Sequence, residues 1–255
     1  MTRLDLTRIG AVVRKELRDY RHNRFVVVSM ALLPVLFLAI PMADIFSLPA
    51  SIGANRLDKL IGLSLLFMLL IPVLVPASVA GYGVVGEREQ GTLEPLLTTP
   101  IRQEELLIGK AAAIMIPALV VAYGAFGIFL ACVRLFARAP VESAVFHEGS
   151  LLVAQAVFTP LLAAWAIWVG LAVSTRTRDV RVAQQLGTFG SFPPLAVTAL
   201  MSFDVIKATA HLAVLFAVGL LAIDLLGWRV VSALFDRERL VTGSPSTSDS
   251  PVRRD

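Results

Sequence analysis

Eight charged side chains occur between Gly86 and Lys110, and the apolar runs on either side of this segment carry no charge. They are Glu87, Arg88, Glu89, Glu94, Arg102, Glu104, Glu105 and Lys110. Because a membrane span needs about 20 apolar residues, this segment cannot be one. We expect a folded, charged loop between two membrane helices, presenting a knob on one face of the membrane.

The centre of this loop has the residues of a short amphipathic helix. Gly91 breaks the preceding helix, and Thr92 can cap a new one with Glu94 in its first turn, where the helix dipole favours an acid. Pro95 is tolerated near a helix start. The apolar face consists of Leu93, Leu96 and Leu97. Thr99 before Pro100 then predicts the start of the next helix, with Glu104 and Glu105 in or just after its first turn.

Patterns of catalysis and nucleotide binding are missing from the sequence. Gly109-Lys110 is the only Gly-Lys pair, and a phosphate-binding loop requires glycine five residues earlier and Ser or Thr after the lysine. Glu104 and Ala111 occupy those positions. No HExxH or GxSxG pattern occurs. We therefore expect a chain that is not an enzyme, with no catalytic site, metal site or cofactor of its own.

The run from Glu87 to Pro100, EREQGTLEPLLTTP, resembles the signature of the ABC-2 type transporter permeases. In that family the segment joins the second and third transmembrane helices on the cytoplasmic side and includes the coupling helix that docks into a separate ATPase. The resemblance implies that Thr92 to Thr98 is this coupling helix. The residues implied in the contact are Glu87, Glu89, Gly91, Thr92, Leu93, Glu94, Pro95, Leu96 and Leu97.

The resemblance also implies partners. Two permease subunits, identical or paralogous, would bound a pathway at their interface, and two ABC ATPase subunits would bind ATP and Mg²⁺ below them. Export is the family's usual direction. The apolar spans favour a drug-like, lipid-like or other amphipathic substrate, although no substrate-binding residue can be assigned from the sequence.

The composition indicates an integral membrane protein of all-α class. Of the 255 residues 56% are hydrophobic and 16% are charged, against about 25% charged in soluble domains. The net charge of +4 is better explained by basic residues on a cytoplasmic face than by nucleic-acid binding. The single cysteine, Cys132, excludes an intrachain disulfide.

Residues 1–24 predict a basic amphipathic helix that lies in the membrane interface. Its apolar stripe is Leu6, Ile9, Val13, Leu17 and Tyr20. By resemblance this is the N-terminal elbow helix of the family. A signal peptide is the competing interpretation, but a charged region this long before about 20 apolar residues favours an anchor.

Six spans are expected in a transmembrane domain of residues 25–228, followed by a cytoplasmic tail at 229–255 whose composition indicates disorder from about 243. The predicted spans are about 25–46, 60–86, 108–133, 151–173, 182–202 and 208–228, with Arg134 to Ser150 as a loop and Pro193-Pro194 breaking or kinking the fifth span. Alternate loops, with the two termini, hold 18 of the 23 Lys and Arg residues. This bias places both termini and the 87–110 loop in the cytoplasm, as in a multi-pass protein of the plasma (inner) membrane.

Two other classes of function remain as alternatives. One is an ATP-independent carrier or channel, and the other is a non-transporting membrane scaffold. A buried ionisable group inside a span would favour the carrier. None is expected, since Asp44 and Asp224 lie near span ends, where they can reach lipid headgroups. The glycines Gly81, Gly83, Gly86, Gly124 and Gly127 allow helices to approach closely, either within the subunit or at a dimer seam.

Overall fold

The computed structural model describes residues 4–48, 53–89, 91, 101–147, 149–203 and 209–234. Within these ranges the chain forms helices joined by short connections, and no strand occurs there. The helices are α1 Leu6–His22, α2 Arg24–Phe46, α3 Ala54–Tyr82, α4 Val85–Glu89, α5 Gln103–Phe136, α6 Ala139–His147, α7 Gly149–Arg176, α8 Val180–Ser202 and α9 Ala210–Leu234.

Helix α3 is the central element of the bundle. It packs against α2, α5, α7 and α8. In its second half the side chains of Val73, Val75, Ala77 and Val79 are fully buried. By contrast, α2 and α9 expose most of their apolar side chains. That distribution fits outer helices whose apolar surface faces lipid instead of water.

Small residues bring α3, α7 and α8 close together. A Cβ added at Gly170 of α7 would lie 2.6 Å from the Cβ of Ala80, and one added at Gly81 would lie 2.9 Å from the Cα of Gln184 in α8. Gly187 of α8 also approaches Gly170, since its added Cβ would be 3.3 Å from the Gly170 Cα. Gly81 therefore serves packing within the subunit, whereas added Cβ atoms at Gly124 and Gly127 meet nothing within 4 Å.

Five helical segments of the described part are long and apolar enough to cross a membrane. They are Val26–Phe46, Arg56–Glu89, which combines α3 with α4, Gln103–Phe136, Gly149–Arg176 and Ala210–Ser232. The fifth predicted span, 182–202, corresponds to α8, which is not among them. Gln184, Gln185 and the two prolines lower its mean hydropathy. Its buried face is made mainly of small and polar residues, including Ala183, Gly187, Ser191 and Thr198.

Two local predictions are wrong, and a third is wrong in one of its two alternatives. The expected loop from Arg134 to Ser150 is mostly helical, because α5 continues to Phe136 and α6 occupies Ala139–His147. The helix predicted to start at Thr99-Pro100 begins only at Gln103. Helix α8 is continuous through Pro193 and Pro194, so the predicted break does not occur, whereas the alternative of a kink stays a prediction. Packing against α3 and α7 helps to compensate for the lost backbone hydrogen bonds.

The bundle has two chemically different ends. The α1 end gathers α1, α4, the end of α3 and the start of α5, and it carries the ion pairs described below. The opposite end holds α6 and the starts of α3, α7 and α9. The predicted coupling helix at 92–98 and the C-terminal tail from 235 onward lie outside the described residues.

Candidate functional site

A buried lysine connects three helices at the α1 end. Lys110, two turns after the start of α5, is 1% exposed. Its Nζ lies 2.9 Å from Oε1 of Glu16 in α1 and 2.9 Å from Oε1 of Glu87 in α4. It also donates a hydrogen bond of 3.0 Å to the carbonyl oxygen of Gly83, where α3 ends. Three acceptors match the three hydrogens of an ammonium group.

Lys15 of α1 reaches the same two carboxylates from the solvent side. Its Nζ is 2.8 Å from Oε1 of Glu87 and 3.2 Å from Oε1 of Glu16, and the exposed Asp19 is a third partner at 3.2 Å. We call Lys15, Glu16, Glu87 and Lys110 the charge cluster. Its two positive and two negative charges balance. A buried group of ions is tolerated only when its charges are balanced in this way.

The cluster changes the acidity of its members on α1. Burial alone would raise the pKa of Glu16, but Lys110 and then Lys15 hold that pKa below its ordinary value of 4.5. Burial alone would lower the pKa of Lys15, yet the Glu16 and Glu87 carboxylates raise it above 10.5. Burial, together with Glu16 and Glu87, raises the pKa of the Tyr20 hydroxyl well above its usual range. The charged forms of the lysine and glutamate are therefore favoured at neutral pH.

Helix α4 is also fixed from α7. The hydroxyl oxygen of Ser174, which is fully buried, accepts hydrogen bonds from the backbone N–H groups of Val84 at 2.9 Å and Val85 at 3.1 Å. These are donors that a helix start leaves without an intrahelical partner. One turn on, Nη1 of Arg88 donates to the Thr177 carbonyl at 2.8 Å. Glu87 is therefore held in place from α1, α5 and α7.

Helices α1 and α5 also meet directly. Glu105, 1% exposed, accepts hydrogen bonds from the backbone N–H of Arg102 at 3.1 Å and of Asp5 at 3.0 Å. One turn further along α5, a Cβ added to Gly109 would lie 2.6 Å from the Cβ of Val12. Only glycine permits this approach, and it brings Lys110 within reach of Glu16.

The predicted site residues differ in their surroundings, and some of them lie outside the described residues. Glu87 is buried and ion-paired with Lys15 of α1 and with Lys110 of α5. Glu89 is exposed at the end of α4. Gly91 has a φ of 67°, a left-handed conformation that favours glycine and supports its assignment as a breaker. Thr92, Leu93, Glu94, Pro95, Leu96 and Leu97 lie outside the described residues.

Three important residues were missed or misplaced by the sequence analysis. Glu16 continues the buried face of α1, since it lies four residues after Val12 and four before Tyr20; its helical spacing was a usable signal. Lys110 was counted as a loop charge but is buried in α5. Asp224 was expected to reach headgroups, yet it is 6% exposed inside α9, and no described residue bonds its carboxylate oxygens.

Acidification should weaken the cluster. Because the folded state lowers the pKa of Glu16 below 4.5, its stabilising contribution is present above that value and is lost as the pH falls through the folded pKa. We expect the melting temperature of the purified protein to drop on this acid side. The Glu16→Gln variant should have a lower melting temperature than the parent at pH 7, but its melting temperature should fall less on acidification. Glu104→Gln, at an exposed acid nearby, should keep the parent's profile; an unchanged acid slope in Glu16→Gln would contradict the prediction.

Comparison with known proteins identifies the family. The family model described as "ABC-2 family transporter protein" matches residues 10–217, which include most of α1, the charge cluster and most of the bundle. No curated protein matches the chain. The match and the apolar helices agree with the resemblance seen at residues 87–100. The chain therefore belongs to the ABC-2 family of transporter proteins and is a transmembrane permease of that class.

Proposed function

We propose that this permease is the membrane-spanning subunit of an ATP-driven exporter of amphipathic molecules and is coupled to a separate ATPase through residues 87–100. The observation that carries the proposal is the charge cluster beside the family signature. It ties α1, α3, α4 and α5 together where the signature begins. A force applied to this segment would therefore reach several helices at once. ATP and Mg²⁺ would be bound by the partner, and this chain would perform no catalysis.

A membrane subunit of this kind needs a pathway, which one bundle does not readily provide. Helix α3 is packed on several sides within the described structure, so its surroundings leave little room for a central lumen. We propose that two permease subunits, identical or paralogous, bound the pathway between them and that two ATPase subunits bind at the α1 end. Assembly in the plasma membrane then requires that end to face the cytoplasm.

We propose six spans, with α8 as the fifth. It has 23 residues, which is long enough to cross a bilayer. No charge occurs from 182 to 202, and α8 packs along α3 and α7. Six spans would put both termini on the cytoplasmic side, in agreement with the excess of basic residues there.

Cysteine accessibility tests this topology. In a variant lacking Cys132, Ser47→Cys and Ser143→Cys should react with a membrane-impermeant thiol reagent added outside intact cells. Ser244→Cys should react only after permeabilisation, because the tail would be cytoplasmic. Labelling of position 244 from outside would contradict the six-span arrangement.

The coupling helix is tested by Leu96→Ala. If Leu93, Leu96 and Leu97 form the apolar anchor for the ATPase, truncating its central residue should cost about 2 kcal/mol or more of binding free energy. We expect less co-purified ATPase and loss of substrate-stimulated ATP hydrolysis, with normal membrane insertion. Glu94→Gln should have a smaller effect that is largest at low salt, because an exposed charge is screened by ions. Parent-like values for Leu96→Ala would refute the coupling assignment.

Asp224 supports a second candidate function. A buried carboxylate inside a span without a described hydrogen-bond partner is a feature of proton-linked carriers. Such a carrier would transport substrate in proteoliposomes with a pH gradient and no ATPase, and Asp224→Asn would stop it. The exporter predicts no transport under those conditions until the ATPase and ATP are supplied. The same reconstitution therefore decides between the two.

A further inference from the structure

A cavity opens between four helices at the end of the bundle opposite the charge cluster. It has a volume of about 820 Å³ and is bordered by α3, α7, α8 and α9. Small residues create the space, among them Gly62, Ala154, Ala210 and Ala213. Ligand pockets typically measure about 300–1,000 Å³, so this cavity is large enough for a small amphipathic molecule.

The deep part of the cavity has an apolar wall with one unusual polar group. Leu65, Leu66, Leu69 and Phe158 supply the wall. Gln155 also lines the cavity and is 4% exposed, and no described residue hydrogen-bonds to its side-chain amide. The amide is not among the described side-chain atoms that are fully buried without a partner, so it stays accessible from the cavity. An accessible amide beside an apolar wall favours a ligand that offers it a hydrogen bond.

The mouth of the cavity is polar and electrically balanced. The neighbouring residues Asp58 and Lys59 border it with opposite charges, and neither has an ion pair within the described structure. Ser150, Ser202 and Thr209 add hydroxyl groups there. From Asp58 to Leu69 the lining of α3 extends ~16 Å at 1.5 Å per residue. The lining thus changes from charged and polar at the mouth to largely apolar with depth.

We propose that this cavity binds a single-chain zwitterionic phospholipid within one subunit. The apolar chain would lie along Leu66, Leu69 and Phe158, and Gln155 would donate a hydrogen bond to the ester or hydroxyl oxygens where the chain meets the head. Asp58 would face the ammonium group and Lys59 the phosphate. The transport role of this site rests on the proposed exporter function, whereas lipid binding itself requires no ATPase.

Photoaffinity labelling tests the site directly. Purified permease in nanodiscs, without ATPase or ATP, would be exposed to a lysophosphatidylcholine with a photoactivatable chain, and labelled peptides would be identified by mass spectrometry. We expect labelling of residues 58–69 and 150–158 to be saturable. Ala154→Phe, which fills the cavity, should raise the half-saturating concentration at least tenfold. Ala213→Phe fills the cavity from α9 instead, and this variant replaces Ala154→Phe in the test if Ala154→Phe does not fold.

Matched variants separate this site from general lipid contact. Val153 is 64% exposed on the outer face of α7, so Val153→Phe adds the same ring outside the cavity and should leave labelling unchanged. Gln155→Leu should weaken labelling roughly tenfold, the size expected for one lost buried hydrogen bond. Unlabelled lysophosphatidylglycerol, which has no ammonium group, should compete at least tenfold less well than lysophosphatidylcholine.

Several results would overturn the proposal. Labelling spread over α2 and the exposed side of α9, and unaffected by the filling variants, would show annular lipid only. Equal competition by the anionic lipid would refute the zwitterionic head, and unchanged labelling of Gln155→Leu would refute the amide contact. If specific labelling is observed but the complex shows no ATP-driven transport, the exporter function is refuted and the lipid site is not. If ATP-driven transport is observed but labelling is unspecific, the lipid site is refuted and the exporter function is not.

Discussion

Replacing Lys110 with methionine is expected to cause one of the two largest losses of stability among the variants considered. Methionine keeps most of the side-chain volume, so the change removes mainly the charge. Glu16 and Glu87 then remain almost buried without Lys110, and Lys15, at the edge of the cluster, stays paired with both. Removing one partner of a buried ionic group typically costs about 3–5 kcal/mol. Thermal unfolding of the detergent-solubilised protein, followed by size-exclusion elution, measures this loss.

A second substitution checks that charge is the cause. Glu87→Gln in the Lys110→Met background restores a balanced pair, Lys15 and Glu16, and should recover part of the lost stability. The double-mutant cycle then reports the coupling between the two positions. Arg181→Ala removes an exposed cation that has no ion pair in the described structure and should change little. The stabilising role of the Lys110 charge would be contradicted by a Lys110→Met protein as stable as the parent. It would also be contradicted by a double variant no more stable than Lys110→Met alone.

The broad architecture was accessible from sequence because lipid imposes length and hydropathy on a span. Five of the predicted spans correspond to helices that satisfy both criteria. Helix α8 shows the limit of this approach. Its small and polar residues pack against α3 and α7, and average hydropathy does not distinguish such a buried face from a poor membrane helix. The loop predicted at 134–150 was wrong for a similar reason, because a polar composition is compatible with a helix such as α6 as well as with a loop.

The site was predicted less completely than the fold. The signature at 87–100 identified the family, and the distribution of basic residues indicated which end of the bundle should face the cytoplasm. What the sequence did not reveal was the meeting of Glu16 and Lys110, which are separated by 94 residues. That contact depends on the close approach of α1 and α5 at Gly109. Pairing between distant residues has no local pattern, although the position of Glu16 on a buried helical face was a usable sign.

The charge cluster and the cavity occupy opposite ends of α3. About 25 residues lie between Asp58 and Gly83, equivalent to ~37 Å of helix. If the segment 87–100 receives force from an ATPase, α3 and the helices packed tightly against it must transmit that force toward the cavity. Close contacts along this route are made at Gly81, Gly170 and Gly187. Their side-chain-free surfaces let three helices pack as one unit.

Replacing Gly170 with leucine is therefore expected to have the other large effect. Even the first atom of a new side chain would lie 2.6 Å from the Cβ of Ala80 and 3.3 Å from backbone atoms of α3. Neither is the end of a flexible side chain, so α3 and α7 must separate. Overpacking of this kind costs about 1–3 kcal/mol and occasionally more. We expect a lower melting temperature and, in the ATPase complex, loss of substrate-stimulated ATP hydrolysis.

Gly219→Leu provides the matched control. Gly219 also lies inside a candidate span, but a Cβ added there meets no atom within 4 Å. The same substitution should therefore leave stability near that of the parent or raise it, because leucine favours the helix more than glycine does. Gly170→Ala should fall between Gly170→Leu and the parent, since it adds only the clashing Cβ. If Gly170→Leu and Gly219→Leu melt at the same temperature, close packing of α3 against α7 does not hold the bundle together, and this route from the charge cluster to the cavity must be abandoned.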